Sequence, residues 1–143
     1  MMLPKRVRLT QSHLFEKAMR SGFKPYDTVQ YLHKVDGLPK TRKAFLLCAL
    51  PQTSYSPHAR CRFGLIVSKK TDKRAVVRNR IRRKLRELIR KHLPLWEQEQ
   101  LHRWVGVMVI VGYPEAYTLS SQALETLLLY RVRVILRKFK PPA

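Results

Sequence analysis

The sequence predicts an α+β fold in a single domain, with a small central sheet flanked by helices. Three apolar runs of strand length, at residues 44–50, 60–68 and 105–111, interleave with three stretches of helical period, at 11–21, 74–93 and 121–140. Their order is α, β, β, α, β, α, which suits a sheet layered against helices. The 143 residues are 45% apolar, enough for one real core and too many for general disorder. Residues 1–143 are accordingly one unit, without internal repeats or low-complexity segments.

Each element has its own signal. In 11–21, Leu14, Phe15, Ala18 and Met19 fall at i, i+1, i+4 and i+5, one face of a short helix. Thr10 or Ser12 can cap its start, Gly22 stops it, and Pro25 bars an immediate restart. Residues 29–32 have strand composition, but Gly37, Pro39 and three Lys/Arg residues follow, so 23–43 is predicted to be a loop or insertion. The unbroken apolar run 44–50 suits a buried strand, and the prolines and hydroxyl residues of 51–59 suit a loop. Strand 60–68 sets Phe63, Leu65 and Val67 on one side and Gly64 and Ile66 on the other. A basic helix spans 74–93, where Pro94 ends or kinks it. After strand 105–111, Gly112-Tyr113-Pro114 turns the chain. The last helix, 121–140, carries the stripe Leu124, Leu127, Leu128, Ile135 and Phe139.

A net charge of +21 opposes compaction unless counter-charge is bound. It points to nucleic acid or an anionic membrane surface as partner. Cys48 and Cys61 lack CxxC spacing and paired histidines, so buried reduced thiols are expected rather than zinc ligands. The basic N-terminus has no signal-peptide apolar run, and no stretch approaches the ~20 apolar residues of a membrane helix. The expected location is the cytoplasm.

Residues 69–91 hold twelve cationic side chains against two carboxylates. At 100° per residue, Val77, Ile81, Leu85, Leu88 and Ile89 span roughly 120° of the helix, the stripe that packs on the sheet. Asn79, Arg82, Arg83, Arg86 and Arg90 fill the next ~100°, with Arg78 at the boundary. A solvated face usually alternates sign so that i,i+4 pairs stabilise it. This face offers only Glu87, and Arg78, Arg82, Arg86 and Arg90 repel one another at i+4 steps. A planar guanidinium grips two phosphate oxygens or stacks on a base, so a polyanion is the predicted partner. Two readings fit Asn79: an N-cap that starts the helix, or an amide that bonds RNA between two guanidinium groups.

The segment Arg78-Asn79-Arg80-Ile81-Arg82-Arg83-Lys84-Leu85-Arg86-Glu87 resembles the RNR motif of the bacterial ribonuclease P protein subunit. Upstream, Arg62-Phe63-Gly64-Leu65-Ile66-Val67-Ser68-Lys69-Lys70 resembles that family's strand and Lys-Lys pair, and Arg8-Leu9, Phe15 and Gly22 fall at its spacing. The match covers residues 5–22 and 44–93, three segments in the right order. The resemblance implies an α/β sandwich with a left-handed βαβ crossover through the basic helix, against the usual right-handed rule. It implies a protein that performs no chemistry itself. A large RNA subunit, using Mg2+ ions, cleaves precursor tRNA to the mature 5′ end, and no protein partner or protein-bound cofactor is required. By the same resemblance Lys69, Lys70, Arg78, Asn79, Arg80, Arg82, Arg83 and Arg86 bind RNA, and Phe15 and Met19 belong to a separate cleft for the single-stranded 5′ leader. Stacking on an aromatic in a basic groove suits that task, while a plain core aromatic is the other reading of Phe15. The chain departs from the family where Met19 replaces a frequent aromatic and where Gly112-Tyr113 replaces a basic residue before the turn proline.

An independent metal nuclease needs clustered carboxylates. The nine here are dispersed, and Glu97 and Glu99, the nearest pair, fall on different helix faces. His13, His33, His58, His92 and His102 are scattered and are expected at the surface. Two rivals share the charge: a ribosomal or RNA-chaperone protein, and a DNA-binding protein. The second wants varied base-reading side chains, of which this face has only Asn79. A membrane-surface helix wants Trp or Phe on its apolar face.

Overall fold

The computed structural model describes residues 3–25, 44–54 and 56–141. A 3-10 turn at Lys5–Val7 leads to α1 (Ser12–Ser21), β1 (Phe45–Pro51), β2 (Arg62–Ile66), α2 (Ala75–Gln98), α3 (Leu101–Trp104), β3 (Val105–Gly112), α4 (Glu115–Thr118) and α5 (Ser121–Phe139). The strand-like residues 29–32 and most of the 23–43 loop lie outside the described residues. The three strands and three long helices match the predicted order; the single-turn helices α3 and α4 are additions.

β3 is apolar on both faces and becomes the middle strand, in the order β1-β3-β2. It pairs antiparallel with β1 and parallel with β2, so β2, α2 and β3 form a βαβ unit. Alternation sorts the side chains. Phe45, Leu47, Phe63, Met108 and Ile110 join the core under α2 and α5, while Cys48, Leu50, Val107, Val109 and Val111 face α1. Both outer edges are protected by single bridges, Arg8 to Phe63 beside β2 and Phe23 to Ala49 beside β1. A Cβ at Gly112 would sit 2.7 Å from Ile81 and 3.0 Å from Val67, so glycine there lets α2 lie close on the sheet. Both cysteines are buried free thiols, each with its pKa raised by burial.

Helix α2 corrects three expectations. It does not stop at Pro94 but runs to Gln98. Pro94 lies inside the helix on its exposed side, where a missing backbone hydrogen bond is most easily tolerated. Trp96, beyond it, is buried against Phe63 with ring centroids 5.7 Å apart, and that burial holds the extra turn. Gln100, at φ 62°, ends the helix in the left-handed conformation that commonly follows a helical C-terminus. Asn79 is not the cap: the helix begins at Ala75 with Arg74 at the N-cap. Nor is His92 a free surface group. Its Nε2 lies 2.9 Å from Glu125 Oε2, which also meets Lys91 Nζ at 2.7 Å, tying α2 to α5. Lys91 first, then His92, hold the Glu125 carboxyl below its usual range.

The predicted stripe of α5 is buried through Ile135, with Phe139 half-buried, and one polar residue joins it. Arg131 is 2% exposed, its Nη1 donates to the Phe45 carbonyl, and its guanidinium lies 4.6 Å from the Phe45 ring centroid. Burial lowers its pKa to about 10, so it stays charged at neutral pH. This contact pins α5 along β1. Arg131→Ala should lower stability by about 2–4 kcal/mol in chemical denaturation, from the lost packing and the orphaned carbonyl. A loss under about 1 kcal/mol would show that the pin is dispensable.

Candidate nucleic-acid interface

The loop before α2 is built to aim its first turns. The Thr71 hydroxyl donates to the Gly112 carbonyl at 3.0 Å, and the Asp72 carboxylate accepts from the Arg74 backbone N–H at 2.8 Å. The Arg74 side chain also donates to Asp72, and these bonds hold that carboxyl below its usual range. Arg78 Nη1 reaches back to the carbonyls of Asp72 and Lys73, at 2.9 and 2.8 Å. Lys69 and Lys70 are exposed in the turn between β2 and α2.

From there the charge run divides between two flanks of the helix. On one, Arg82 Nη2 donates to the Val67 carbonyl at 2.8 Å and Arg82 Nη1 to Asn79 Oδ1 at 3.1 Å. Asn79 is an exposed mid-helix residue whose carbonyl orients a neighbouring arginine and whose amide nitrogen faces solvent. The Arg83 side chain is exposed, with no hydrogen-bond partner among the described residues. On the other flank, Arg80 lies 5.7 Å from the Tyr117 ring centroid. Lys84 Nζ donates to the carbonyls of Ala116, Tyr117 and Leu119, closing the end of α4. Burial, then Arg80, lowers the Lys84 pKa. The structure thus brings Arg78, Asn79, Arg82, Arg83 and Arg86 together and sets Arg80 apart from them.

Phe15 is half-buried on the sheet face that α1 covers, and its ring lies against Gly64. A Cβ at Gly64 would meet Phe15 Cε1 at 2.3 Å and Leu9 Cδ2 at 3.0 Å, so only glycine lets the ring lie on the strand. Met19, one turn on, is 41% exposed. A hollow of ≈ 230 Å³ opens beside the ring, lined by Leu9, Phe15, Gly64 and the guanidinium-bearing Arg8, Arg82 and Arg86. Among the described residues no carboxylate lines it. The cleft and the arginine face, expected as separate regions, share this hollow. The spacing that places Arg82 and Arg86 on one helix flank was legible; that β2 brings Gly64 and Phe15 to the same flank was not.

Sequence reasoning missed further cations on this face. Arg8 is anchored by Nη2 to the Leu3 carbonyl at 2.9 Å and lines the hollow. On the other side of α1 a second hollow, ≈ 420 Å³, is lined by Gln11, Lys17, Gln52, Arg60 and Arg62 among others. Gln52 braces its loop, donating to the carbonyls of Arg60 and His102. The signal for Arg62 was the strand alternation, which sets it outward beside buried Phe63. Among the described residues no group of three or more His, Cys, Asp or Glu side chains could hold a metal ion, and no helix is long and apolar enough to cross a membrane.

A half-buried aromatic beside three guanidinium groups is suited to a base and its phosphate. Gly64→Ala should displace the ring and weaken binding of a single-stranded oligoribonucleotide by about 1 kcal/mol or more, leaving the salt dependence unchanged. Undiminished affinity in a folded variant would show that the ring is no platform.

The profile of the Ribonuclease P family matches residues 3–134. The ribonuclease P protein component of Prochlorococcus marinus (strain MIT 9303) is 34% identical over 105 residues, 73% of this chain and 76% of that one. The same component of Synechococcus sp. (strain WH7803) is 38% identical over 110 residues, covering 76% and 79%. The Staphylococcus aureus RNase P protein structure superposes with a TM-score of 0.59 over 90% of this chain and 94% of that chain at 18% identity, a likeness of fold. With its family-wide match, its arginine-faced helix and its sheet order, this chain belongs to the ribonuclease P protein family.

Proposed function

We propose that the chain, as the protein component of ribonuclease P in tRNA 5′ maturation, docks on the catalytic RNA subunit through the arginine flank of α2 and receives the 5′ leader of precursor tRNA at Phe15. The observation that carries this reading is the hollow in which the Phe15 ring meets Arg8, Arg82 and Arg86. Lys69, Lys70, Arg78, Asn79, Arg82, Arg83 and Arg86 supply the phosphate-binding face. Arg80, against Tyr117, reaches RNA from the opposite flank. Met19, exposed one turn after Phe15, does not line that hollow; it offers a soft apolar contact to a base but stacks less specifically than an aromatic. The bond-breaking chemistry belongs to the RNA, which also holds the Mg2+ ions. The protein's own donor set is cationic, and its cations attract phosphate rather than a divalent metal. No protein partner is required, and the assembly works in the cytoplasm.

Reconstitution tests this. The protein alone should cleave nothing, and addition of the RNA subunit at moderate Mg2+ should yield mature tRNA 5′ ends. Arg83→Ala with Arg86→Ala should weaken RNA-subunit binding by about 1–3 kcal/mol and lower the log–log salt slope by about 2, one unit per phosphate contact. Robust cleavage by RNA-free protein would overturn the assignment of chemistry, and an unchanged slope would return this flank to solvent.

A further inference from the structure

The charge run of α2 accounts for only part of the +21 net charge. A second concentration lies on the C-terminal half of α5 and the Lys140 that caps it. Arg133, Arg137, Lys138 and Lys140 are all exposed there, and the only carboxylate on the helix, Glu125, is already engaged by Lys91 and His92. Arg133, Arg137 and Lys140 fall within about 60° of one another around the helix and span about 10 Å along it, a single row. Among the described residues none of the three has an ion-pair partner. Cations near a helical C-terminus complement the macrodipole, but that effect fades within the last turn and leaves Arg133 unexplained.

The fold turns this row away from the α2 face. Arg131 on Phe45, and Phe139 on Phe23, which bridges Ala49, lay this half of α5 along the β1 edge of the sheet. Arg82 on Val67 and the hollow at Gly64 put the α2 face at the β2 edge. With β3 between them, the two cationic rows look out from opposite edges.

We propose that Arg133, Arg137 and Lys140 form a second RNA-docking row that grips duplex phosphates of the same catalytic RNA subunit held by α2. The inference rests on the reading of the chain as a ribonuclease P subunit. The chemistry favours duplex over single strand. Phe23 and Phe139, rings near the row among the described residues, are packed edge to face on each other, with Lys138 Nζ 5.8 Å from the Phe23 centroid, so neither offers a free platform to a base. It favours the resident RNA over tRNA as well. A phosphate-only contact grips substrate and product tRNA alike and gains nothing in turnover, whereas on a permanent partner it adds affinity.

The test measures RNA-subunit affinity at about 50 and 200 mM monovalent salt for the parent, for Arg133→Gln/Arg137→Gln/Lys140→Gln, and for the charge-retaining Arg133→Lys/Arg137→Lys. Losing three phosphate contacts lowers the slope by about 2.7, so across that fourfold salt range the parent should lose on the order of 40-fold more affinity than the triple variant. The Lys-retaining variant should behave as the parent, and the assembled enzyme's affinity for precursor tRNA should not change. Equal slopes, a deficit shared by the Lys-retaining variant, or a deficit confined to precursor tRNA would each overturn the proposal. A parent that does not bind the RNA subunit in a salt-dependent way would instead sink the subunit reading beneath it.

Discussion

Among the described residues, backbone carbonyls hold more of the cations than carboxylates do. Arg78 bonds the carbonyls of Asp72 and Lys73, Arg82 that of Val67, and Lys84 three around α4. Arg8, Arg62 and Arg131 do the same with Leu3, Arg6 and Phe45. A carbonyl dipole orients a guanidinium without cancelling its charge, whereas a carboxylate does both. The side chains are thus positioned while the field they generate stays available. The free protein bears the resulting self-repulsion, which binding to a phosphate chain relieves.

That constraint explains the division of labour around the sheet. The face under α2 and α5 is thickly covered and carries most of the core. The face under α1 is covered by one short helix, which leaves a hollow on each side of it. Cations reach those hollows from β2, from the N-terminal segment and from α2, while Gly64 lets the Phe15 ring form an apolar floor. The stiff core positions a face that is thin, charged and open. This separation keeps the binding groups ordered before RNA arrives, so less entropy is lost on docking.

Much of this was legible in the chain. Apolar runs located the strands to within two residues at either end, and the 100° arithmetic found the buried stripe of α2. Local pattern failed where a distant partner decides. Pro94 looks like a stop until Trp96 is seen stacked on Phe63. Arg131 looks like a surface cation because its acceptor, the Phe45 carbonyl, is 86 residues away. Arg80 and Lys84 read as part of one basic run, yet they face α4, whose single turn carries no periodic signal. The meeting of Phe15 with Arg82 and Arg86 likewise depends on the packing of α1 over β2.

The central claim is that Phe15 and the α2 arginines act on RNA as one site. A double-mutant cycle on Phe15→Ala and Arg86→Ala, read as the reconstituted enzyme's affinity for leader-bearing precursor tRNA, tests it most directly. A single site gives a coupling energy above about 0.5 kcal/mol, absent when the precursor lacks its leader. Losses that add within about 0.3 kcal/mol, or coupling that persists without the leader, would contradict it.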